Sequence, residues 1–222
     1  MTSSIEYMKY KDYTFLIPAR RNSKGLPFKN RKLLEATLDI IPKKYIDKVL
    51  VSTDDEYIIE KCKNQNIRCV KRSPENSRDE SSTKDVFQEI SPYVKTSNIV
   101  LLYLTYPERT WEDVCSAIGF YERYSEGSML CKKKINTSPY LMMYEKGIHG
   151  RQIINHNLYR RQDYPDCFEI SHYIGVFNKK VVDLLNNNMY NNDTVFFSID
   201  DVIDVDTPKD LEKYNEKNKD YC

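Results

Sequence analysis

A basic loop follows the first apolar run of the chain, in the stretch IPARRNSKGLPFKN (residues 17–30). Ser23 and Gly25 lie in this loop, where backbone N–H groups can stand beside cationic side chains. Phosphate oxygens need short, charge-assisted donors, so the loop is a candidate phosphate site, although a solvated basic turn would have the same composition. It is not a Walker A loop, because no GxxxxGK(S/T) spacing is present. From residue 20 to residue 32 the sequence has no acid and six cations: Arg20, Arg21, Lys24, Lys29, Arg31 and Lys32.

A pair of carboxylates lies far along the chain, in the stretch SIDDVIDVDTPKDLE (residues 198–212). Asp204 and Asp206 are two residues apart in a segment that is expected to be extended, so both side chains turn to one face. Two hard oxygen ligands suit Mg²⁺, which keeps several waters and takes its other ligands from substrate phosphates. A metal site and a set of solvated acidic side chains both fit this pattern.

Other polar stretches are less informative. In STDD (residues 52–55), Asp55 is predicted to cap the helix that follows. In RRQDYP (residues 160–165), an arginine pair beside an amide fits a carboxylate clamp or a solvated turn equally well. Asp200 and Asp201 are predicted to be solvated. The histidines are not spaced as a metal set and are predicted to be structural or solvent-facing: His149, His156 and His172.

Length and composition limit the classes of protein to consider. A chain of 222 residues suits one α/β domain with room for a small appendage. Its 34 basic and 33 acidic residues give a net charge of +1, so neither nucleic acid nor a membrane surface is an expected partner. The six cysteines show no CxxC pair or zinc spacing and are expected to be free thiols. The sequence has no apparent leader and no apolar run near the roughly 18 residues of a membrane span, which predicts a cytoplasmic protein.

Strands alternating with helices are predicted to position these residues. Near-continuous apolar runs predict strands buried on both faces, at 13–18, 48–52, 67–70 and 98–104. Amphipathic segments between them predict helices, at 55–64, 82–91 and 111–124. Capping boxes are predicted for the helices after Thr110 and Thr207. The alternation predicts a doubly wound sheet with its ligand beyond the carboxyl ends of the strands, where the basic loop also lies.

The alternation stops after residue 133. From residue 135 to residue 171 the chain is irregular, aromatic and polar, which fits either a long surface excursion or an arm that packs on a second subunit. A strand at 173–177 and a helix from Lys179 are predicted to resume the core.

Six segments, in order from Tyr13 to Leu211, together resemble the acylneuraminate cytidylyltransferase family, the synthetases of CMP-sialic acids and related CMP-sugar acids. IPARRNSKGLPFKN resembles the family's IPAR-x-G-S-K-G…K-N loop, and KVLVSTDDEYI resembles its V-x-V-S-T-D strand end. RSPENSRDESST resembles R-P-x-E-L-A-x-D-x-A-S-T, and LLYLTYPERT resembles L-L-Q-P-T-S-P-L-R-T. RRQDYP resembles R-R-Q-D-x-P, and IDVDTPKDL resembles I-D-I-D-T-x-x-D-L.

The resemblance implies a fold, an activity and partners. The fold is a Rossmann-like three-layer α/β/α nucleotidyltransferase with a mostly parallel sheet, its core formed by residues 1–134 and 172–222. Residues 135–171 form an inserted dimerisation arm. The activity is the transfer of CMP from CTP to a nonulosonic or related 2-keto-3-deoxy sugar acid, with release of pyrophosphate. A homodimer using Mg²⁺ is implied.

The resemblance also assigns residue roles. Arg20, Lys24 and Asp206 are the implied catalytic residues, and Asp204 and Asp206 the implied metal ligands. The implied substrate-binding residues are Tyr103, Arg161 and Gln162, the last two on the arm. Nucleotide contacts are implied for Arg20, Ser23, Lys24, Lys29, Asn30, Arg72 and Ser82.

Departures from the family pattern cluster on the sugar side. Tyr103 and Leu104 replace a Gln-Pro pair, and Tyr106 replaces a serine. EISHYIGVF (residues 169–177) stands where the sialic-acid enzymes tend to show R-P-N-G-A-x-Y. Asn22 replaces a loop glycine but leaves the cations in place. A phenol satisfies different hydroxyls from an amide, so a sugar acid other than N-acetylneuraminate is expected. A different nucleotidyltransferase and a non-catalytic nucleotide-binding homologue are the alternatives.

Overall fold

The structure is a computed structural model that describes residues 10–22, 24–125 and 127–219. Its strands are β1 (Tyr13–Pro18), β2 (Val49–Thr53), β3 (Arg68–Lys71), β4 (Asn98–Leu101), β5 (Ser128–Lys134), β6 (Met143–Lys146), β7 (His149–Gln152), β8 (Phe168–Asn178) and β9 (Val195–Ser198). Its α-helices are α1 (Lys29–Asp39), α2 (Glu56–Asn64), α3 (Thr83–Ile90), α4 (Trp111–Tyr124) and α5 (Pro208–Lys219). Short 3₁₀ helices span Lys43–Lys48, Glu75–Ser77, Ser91–Tyr93, Pro139–Leu141, Arg161–Asp163 and Lys179–Leu184.

Seven of these strands form one sheet in the order β3-β2-β1-β4-β8-β5-β9. The pairs β1–β2, β1–β4, β2–β3 and β5–β9 are parallel, whereas β8 runs antiparallel to both β4 and β5. All six residues of β1 are buried, as expected for a central strand covered on both faces. The predicted mostly parallel, Rossmann-like α/β sheet is confirmed.

Two apolar clusters cover the two faces of the sheet. On one face, Leu34 of α1, Ile58 of α2 and Ile118 of α4 pack against the strands. On the other, Phe87 and Ile90 of α3 belong to the second cluster. Helices on both faces complete the three-layer α/β/α arrangement. None of the described helices combines the length and apolar character needed to cross a bilayer.

Side-chain caps explain why the predicted helices begin where they do. Asp55 accepts a hydrogen bond from the Tyr57 N–H at 3.0 Å, which confirms its predicted capping role. Thr110 and Asp113 form a reciprocal capping box at the start of α4. Thr207 and Asp210 bond in the same way before α5. These caps satisfy N–H groups that the first helical turn leaves unpaired.

Three elements differ from the prediction. Strand β4 ends at Leu101, although the apolar run continues to residue 104. The predicted helix from Lys179 is a 3₁₀ helix that ends at residue 184. The sequence pattern does not predict α1, since its N-cap residue Phe28 is left-handed (φ 54°) and has no side-chain cap.

Residues 135–167 form an excursion between β5 and β8, and we call this segment the arm. It contains the two-stranded antiparallel sheet of β6 and β7, whose residues are all exposed. Large apolar side chains on it face solvent, among them Ile148 at 96% and Tyr159 at 92% exposure. Residues 168–171, predicted to belong to this segment, instead pair with β5 as the start of β8.

Candidate functional site

A pocket of about 350 Å³ opens where the chain leaves the carboxyl ends of several strands. Arg20 follows β1, Arg72 follows β3 and Tyr103 follows β4, so the site lies where ligands bind in open α/β sheets. The sequence-predicted residues that line it are Arg20, Lys29, Asn30, Arg72, Ser82, Tyr103, Asp204 and Asp206.

Lys29 joins the basic loop to the acidic segment. It is the first residue of α1, is 8% exposed, and its ammonium forms an ion pair with Asp206. A cation at a helix N-terminus is opposed by the helix dipole, so an anion beside it is needed. The N-terminus of α1 and the Lys29 ammonium together form a cationic wall that an anionic ligand can approach.

Asp79, outside the basic loop, and Asn30, at its end, hold the rest of the loop in place. Arg20 Nη1 contacts Asp79 Oδ1 at 2.8 Å, and Lys24 Nζ contacts Asp79 Oδ2 at 2.9 Å. Asn30 donates from Nδ2 to the Arg20 carbonyl at 2.7 Å, which fixes the loop backbone. Asp79 therefore supplies the acid that the loop sequence lacks, while Arg20 still borders the pocket.

Gly25 allows the loop to touch the acidic segment. A Cβ atom built at this position would lie 2.3 Å from the Asp206 carbonyl oxygen, a distance that side-chain carbons do not tolerate. The absence of a side chain thus lets the two halves of the site, which are distant in sequence, meet at backbone distance.

Arg72 and Ser82 also line the pocket. Arg72 is 7% exposed and donates from Nε to Ser52 Oγ at 3.0 Å. Burial lowers the pKa of its guanidinium to about 10, so it remains charged at neutral pH. Ser82 is the N-cap of α3, where its hydroxyl accepts a bond from the Asp85 N–H at 3.2 Å.

The carboxylate pair lies as its spacing predicts. Val205, between the two acids, is fully buried and donates its N–H to the Thr105 carbonyl at 2.7 Å. Asp204 and Asp206 consequently both face the pocket. The enclosing walls raise the pKa of the Asp204 carboxyl by desolvation, and the negative charge of Asp206 acts in the same direction.

Aromatic side chains form the wall on which the sequence departs from the family pattern. The Tyr103 hydroxyl hydrogen-bonds Thr83 Oγ1, and burial raises the pKa of its phenol. Burial likewise raises the pKa of Tyr106, whose hydroxyl contacts the Asp204 carboxylate. His172, predicted to be structural or solvent-facing, also lines the pocket, with its ring 5.7 Å from that of Tyr103. An isolated histidine in a strand pattern gives no sequence signal for this position.

The remaining predicted site residues do not line the pocket. The Lys24 side chain is 79% exposed and reaches the site only through Asp79. Arg161 and Gln162 lie in an exposed 3₁₀ helix of the arm, where Arg161 borders a different cavity. Ser23 lies outside the described residues. In the described part of the chain, no group of three or more His, Cys, Asp or Glu residues is placed to hold a metal ion. The predicted ligands Asp204 and Asp206 are two carboxylates that line one pocket.

Sequence comparison identifies relatives of this chain. Residues 14–107 match the family model described as Cytidylyltransferase. An N-acylneuraminate cytidylyltransferase of Streptococcus agalactiae serotype III (strain NEM316) is 29% identical over 210 residues, covering 88% of this chain and 51% of the relative. A protein of the same name from Oncorhynchus mykiss is 40% identical over 83 residues, or 34% of this chain and 19% of the relative. The chain therefore spans about half the length of its streptococcal relatives.

Solved structures share the fold. A CMP:2-keto-3-deoxy-manno-octonic acid synthetase complexed with CTP has a TM-score of 0.66 at 14% identity, covering 96% of this chain and 100% of that chain. A 4-diphosphocytidyl-2C-methyl-D-erythritol synthase from Anaerococcus prevotii has a TM-score of 0.62 at 17% identity, covering 96% and 99%. At such identities the likeness concerns the fold alone. In sequence, the chain is similar to the Cytidylyltransferase model over residues 14–107 and to N-acylneuraminate cytidylyltransferases over 210 residues.

Proposed function

We propose that this protein is a Mg²⁺-dependent cytidylyltransferase that transfers CMP from CTP to the anomeric hydroxyl of a nonulosonic or related 2-keto-3-deoxy sugar acid, releasing pyrophosphate. One observation carries the proposal: a single pocket joins the cationic Arg20 and Lys29 to the carboxylates Asp204 and Asp206. Triphosphate binding needs the cations, and a metal-assisted phosphoryl transfer needs the carboxylates. The relatives are named for activity of this kind.

The phosphates of CTP are proposed to bind at the N-terminus of α1. Arg20, Lys29 and Asn30 line the pocket there, and Lys24 can approach if the triphosphate draws it from Asp79. Ser23 belongs to the same proposed set. The buried guanidinium of Arg72 and the N-cap Ser82, which also line the pocket, would contact the cytidine. The pocket's volume of about 350 Å³ is in the range of small-molecule sites.

Asp204 and Asp206 fit the requirements of Mg²⁺. Both side chains are carboxylates that face the same cavity, and hard oxygen ligands of this type are what the ion prefers. With only two protein ligands, the remaining positions are left for waters and phosphate oxygens. When bound, the ion would supply charge stabilisation to the reacting phosphate and lower the pKa of the attacking hydroxyl.

The residues of the chain then act mainly by position and charge. The anomeric hydroxyl of the sugar gives up its proton to solvent as its oxygen attacks the α-phosphorus in line. The bond from that phosphorus to the bridging oxygen breaks, and pyrophosphate leaves with the electron pair. Arg20, Lys24 and Lys29 would neutralise the charge that builds up on the leaving group. The wall formed by Tyr103 and Tyr106 would hold the sugar in the orientation for attack.

The arm is proposed to pair with a second subunit. Its exposed Ile148 and Tyr159 are large apolar side chains that an isolated subunit would leave in water. Arg161 and Gln162 are outside the pocket of their own chain, so we propose that they approach the sugar of the partner's site in a homodimer. The cytoplasmic location remains a prediction from the sequence.

Pyrophosphate release tests the activity. The chain is incubated with CTP, Mg²⁺ and a panel of keto-sugar acids, and Asp206→Asn is expected to reduce turnover by at least about 100-fold. Asp200→Asn is the matched control, since this exposed aspartate lies outside the pocket. Unfolding temperatures establish that both variants keep the fold.

Each other outcome has a definite meaning. CTP binding without turnover of any acid would contradict the enzyme assignment and favour a non-catalytic nucleotide-binding homologue. Turnover with another nucleotide or acceptor would favour a different sugar nucleotidyltransferase. Substantial activity in Asp206→Asn would remove this residue from the metal site.

A further inference from the structure

His172 occupies an unusual position in the pocket wall. It lies in β8 and faces the cavity beside Tyr103, with the two rings edge to face at 71°. Its Nδ1 atom is shielded from solvent and has no hydrogen-bond partner among the described residues. A buried polar atom of this kind is rare in a folded protein and calls for an explanation.

The surroundings of the His172 imidazole determine its protonation state and its tautomer. Burial lowers the pKa of the His172 imidazole, although the Asp204 carboxylate opposes this, so the ring is neutral at pH 7. A neutral imidazole carries one N–H and one lone pair. Because an unpaired buried N–H costs more than an unpaired buried lone pair, the proton belongs on Nε2 and the lone pair on Nδ1. Nε2, which is not shielded in this way, then offers an N–H donor to the cavity.

The backbone around this wall is held in place by a buried guanidinium. Arg109 is 2% exposed and donates to the Tyr173 carbonyl at 2.6 Å and to the Tyr103 carbonyl at 2.7 Å. Arg109 therefore links Tyr173, the residue after His172, to Tyr103, whose ring packs against that of His172. A donor on such a fixed backbone is preorganised for its ligand.

The charge nearby indicates what the donor would bind. The cations that line the pocket are Arg20, Lys29, Arg72 and Arg78, all outside β8. The titratable neighbour that influences His172 is instead Asp204, a carboxylate. Without a metal ion on Asp204, an anion placed beside His172 would be repelled by this carboxylate, whereas a hydroxyl or acyl carbonyl oxygen would not; the Arg72 charge acts on the neighbouring Tyr103.

We propose that His172 is a substrate-binding residue whose Nε2–H donates to a neutral oxygen, a hydroxyl or an acyl carbonyl, of the sugar acid. This inference rests on the proposed function, because it assigns the sugar to the same pocket. His172 then contributes to substrate choice: an acid that lacks an oxygen at this point leaves the buried ring unsatisfied and is selected against.

The test uses the full chain with CTP, Mg²⁺ and two probes, N-acetylneuraminate and 2-keto-3-deoxy-manno-octonic acid. For the acid that turns over better, His172→Ala is expected to raise KM about tenfold, the size of one lost hydrogen bond, with KM for CTP changed less than about twofold. His172→Gln, which keeps an N–H donor, is expected to recover most of the loss. Asp200→Asn, at an exposed position outside the pocket and the arm, is the control.

Imidazole ¹⁵N spectra give a readout that does not depend on turnover. The His172 signals, identified by their loss in His172→Ala, are expected to show the neutral Nε2–H form and to shift when the sugar acid joins the CTP complex. A ring protonated on Nδ1, or equal changes in KM for CTP and the acid, would overturn the inference. So would an unchanged KM in His172→Ala while wild type turns over, and this result would leave the proposed function intact. If wild type releases no pyrophosphate with these two acids or with any other acid of the panel, the proposed function fails and the sugar contact fails with it.

Discussion

Replacing Lys29 by methionine is expected to tighten the binding of free Mg²⁺ and to weaken the binding of CTP. In the structure the Lys29 ammonium pairs with Asp206, one of the two proposed metal ligands. A divalent ion that binds without nucleotide must displace this ammonium or share the carboxylate with it. A triphosphate would remove the conflict, because its own charge attracts Lys29. Methionine keeps the length and apolar stem of lysine but removes the charge.

The size of the effect follows from the exposure of the two groups. Opposite unit charges about 4 Å apart attract by about 1 kcal/mol in water and about 4 kcal/mol at an effective dielectric constant of about 20. The Lys29 side chain is 11% exposed but that of Asp206 is 62% exposed, so solvent screening favours the lower end. About 1.4 kcal/mol corresponds to about tenfold in the dissociation constant for Mg²⁺.

Calorimetric titration of MgCl₂ into the nucleotide-free protein measures this directly, and titration of CTP measures the opposite effect. Lys32→Met is the matched control, because Lys32 is an exposed residue of the same helix. The affinity for Mg²⁺ is expected to rise and the affinity for CTP to fall in Lys29→Met. An affinity for Mg²⁺ that is unchanged or weaker in Lys29→Met would refute it.

Two further predictions concern the scaffold of the site. Gly25→Ala is expected to lower turnover sharply, because the added Cβ would lie 2.3 Å from the Asp206 carbonyl oxygen; pyrophosphate release and unfolding temperature check this, and normal turnover would contradict the close approach. Asp55 is almost fully buried and accepts two bonds from Arg31 at 2.7 and 2.8 Å. Burial acts to raise its pKa, but bonds from Arg31 and Tyr57 make the folded-state pKa lower than the usual value. The Asp55 carboxylate thus stabilises the fold at pH values above its pKa in the unfolded chain. This stabilisation is lost as the pH falls through its lower pKa in the folded protein. Arg31→Met should lower the free energy of unfolding at pH 7 by roughly 1.5–3 kcal/mol, and this free energy should then fall less steeply below about pH 4. Urea denaturation at several pH values measures both effects, and an unchanged pH dependence in the acid range would exclude this role for Arg31.

The sequence predicted the parts of the fold that local chemistry determines. Buried strands such as β1 and helices with side-chain caps, such as the one after Thr110, have local signals, and they lie where predicted. Helix α1 has no cap and begins with Lys29, so no local signal marks it. Its N-terminus is stabilised by Asp206, a contact between residues 177 positions apart.

In the candidate site, too, some features have local sequence signals and others depend on contacts between distant residues. The spacing of Asp204 and Asp206 was enough to predict that they share a face, because alternation along an extended chain is local geometry. The pairing of Asp79 with Arg20 and Lys24, and the place of His172 beside Tyr103, depend on how distant loops meet. No spacing rule within one sequence contains that information.

The register of β5 and β8 has a consequence for how this architecture can vary. Lys134 and Phe168, the residues that flank the arm, are directly paired across the two strands. Strand partners in a sheet lie about 5 Å apart, so the core already holds the two ends of the arm at the separation of a tight turn. The segment that joins these two residues can therefore vary without changing the order of the strands or the other connections between them. A longer segment at this point adds little to the entropic cost of closing the loop. The arm is therefore an interchangeable module: segments of other lengths can join Lys134 to Phe168 while the order of the strands stays unchanged.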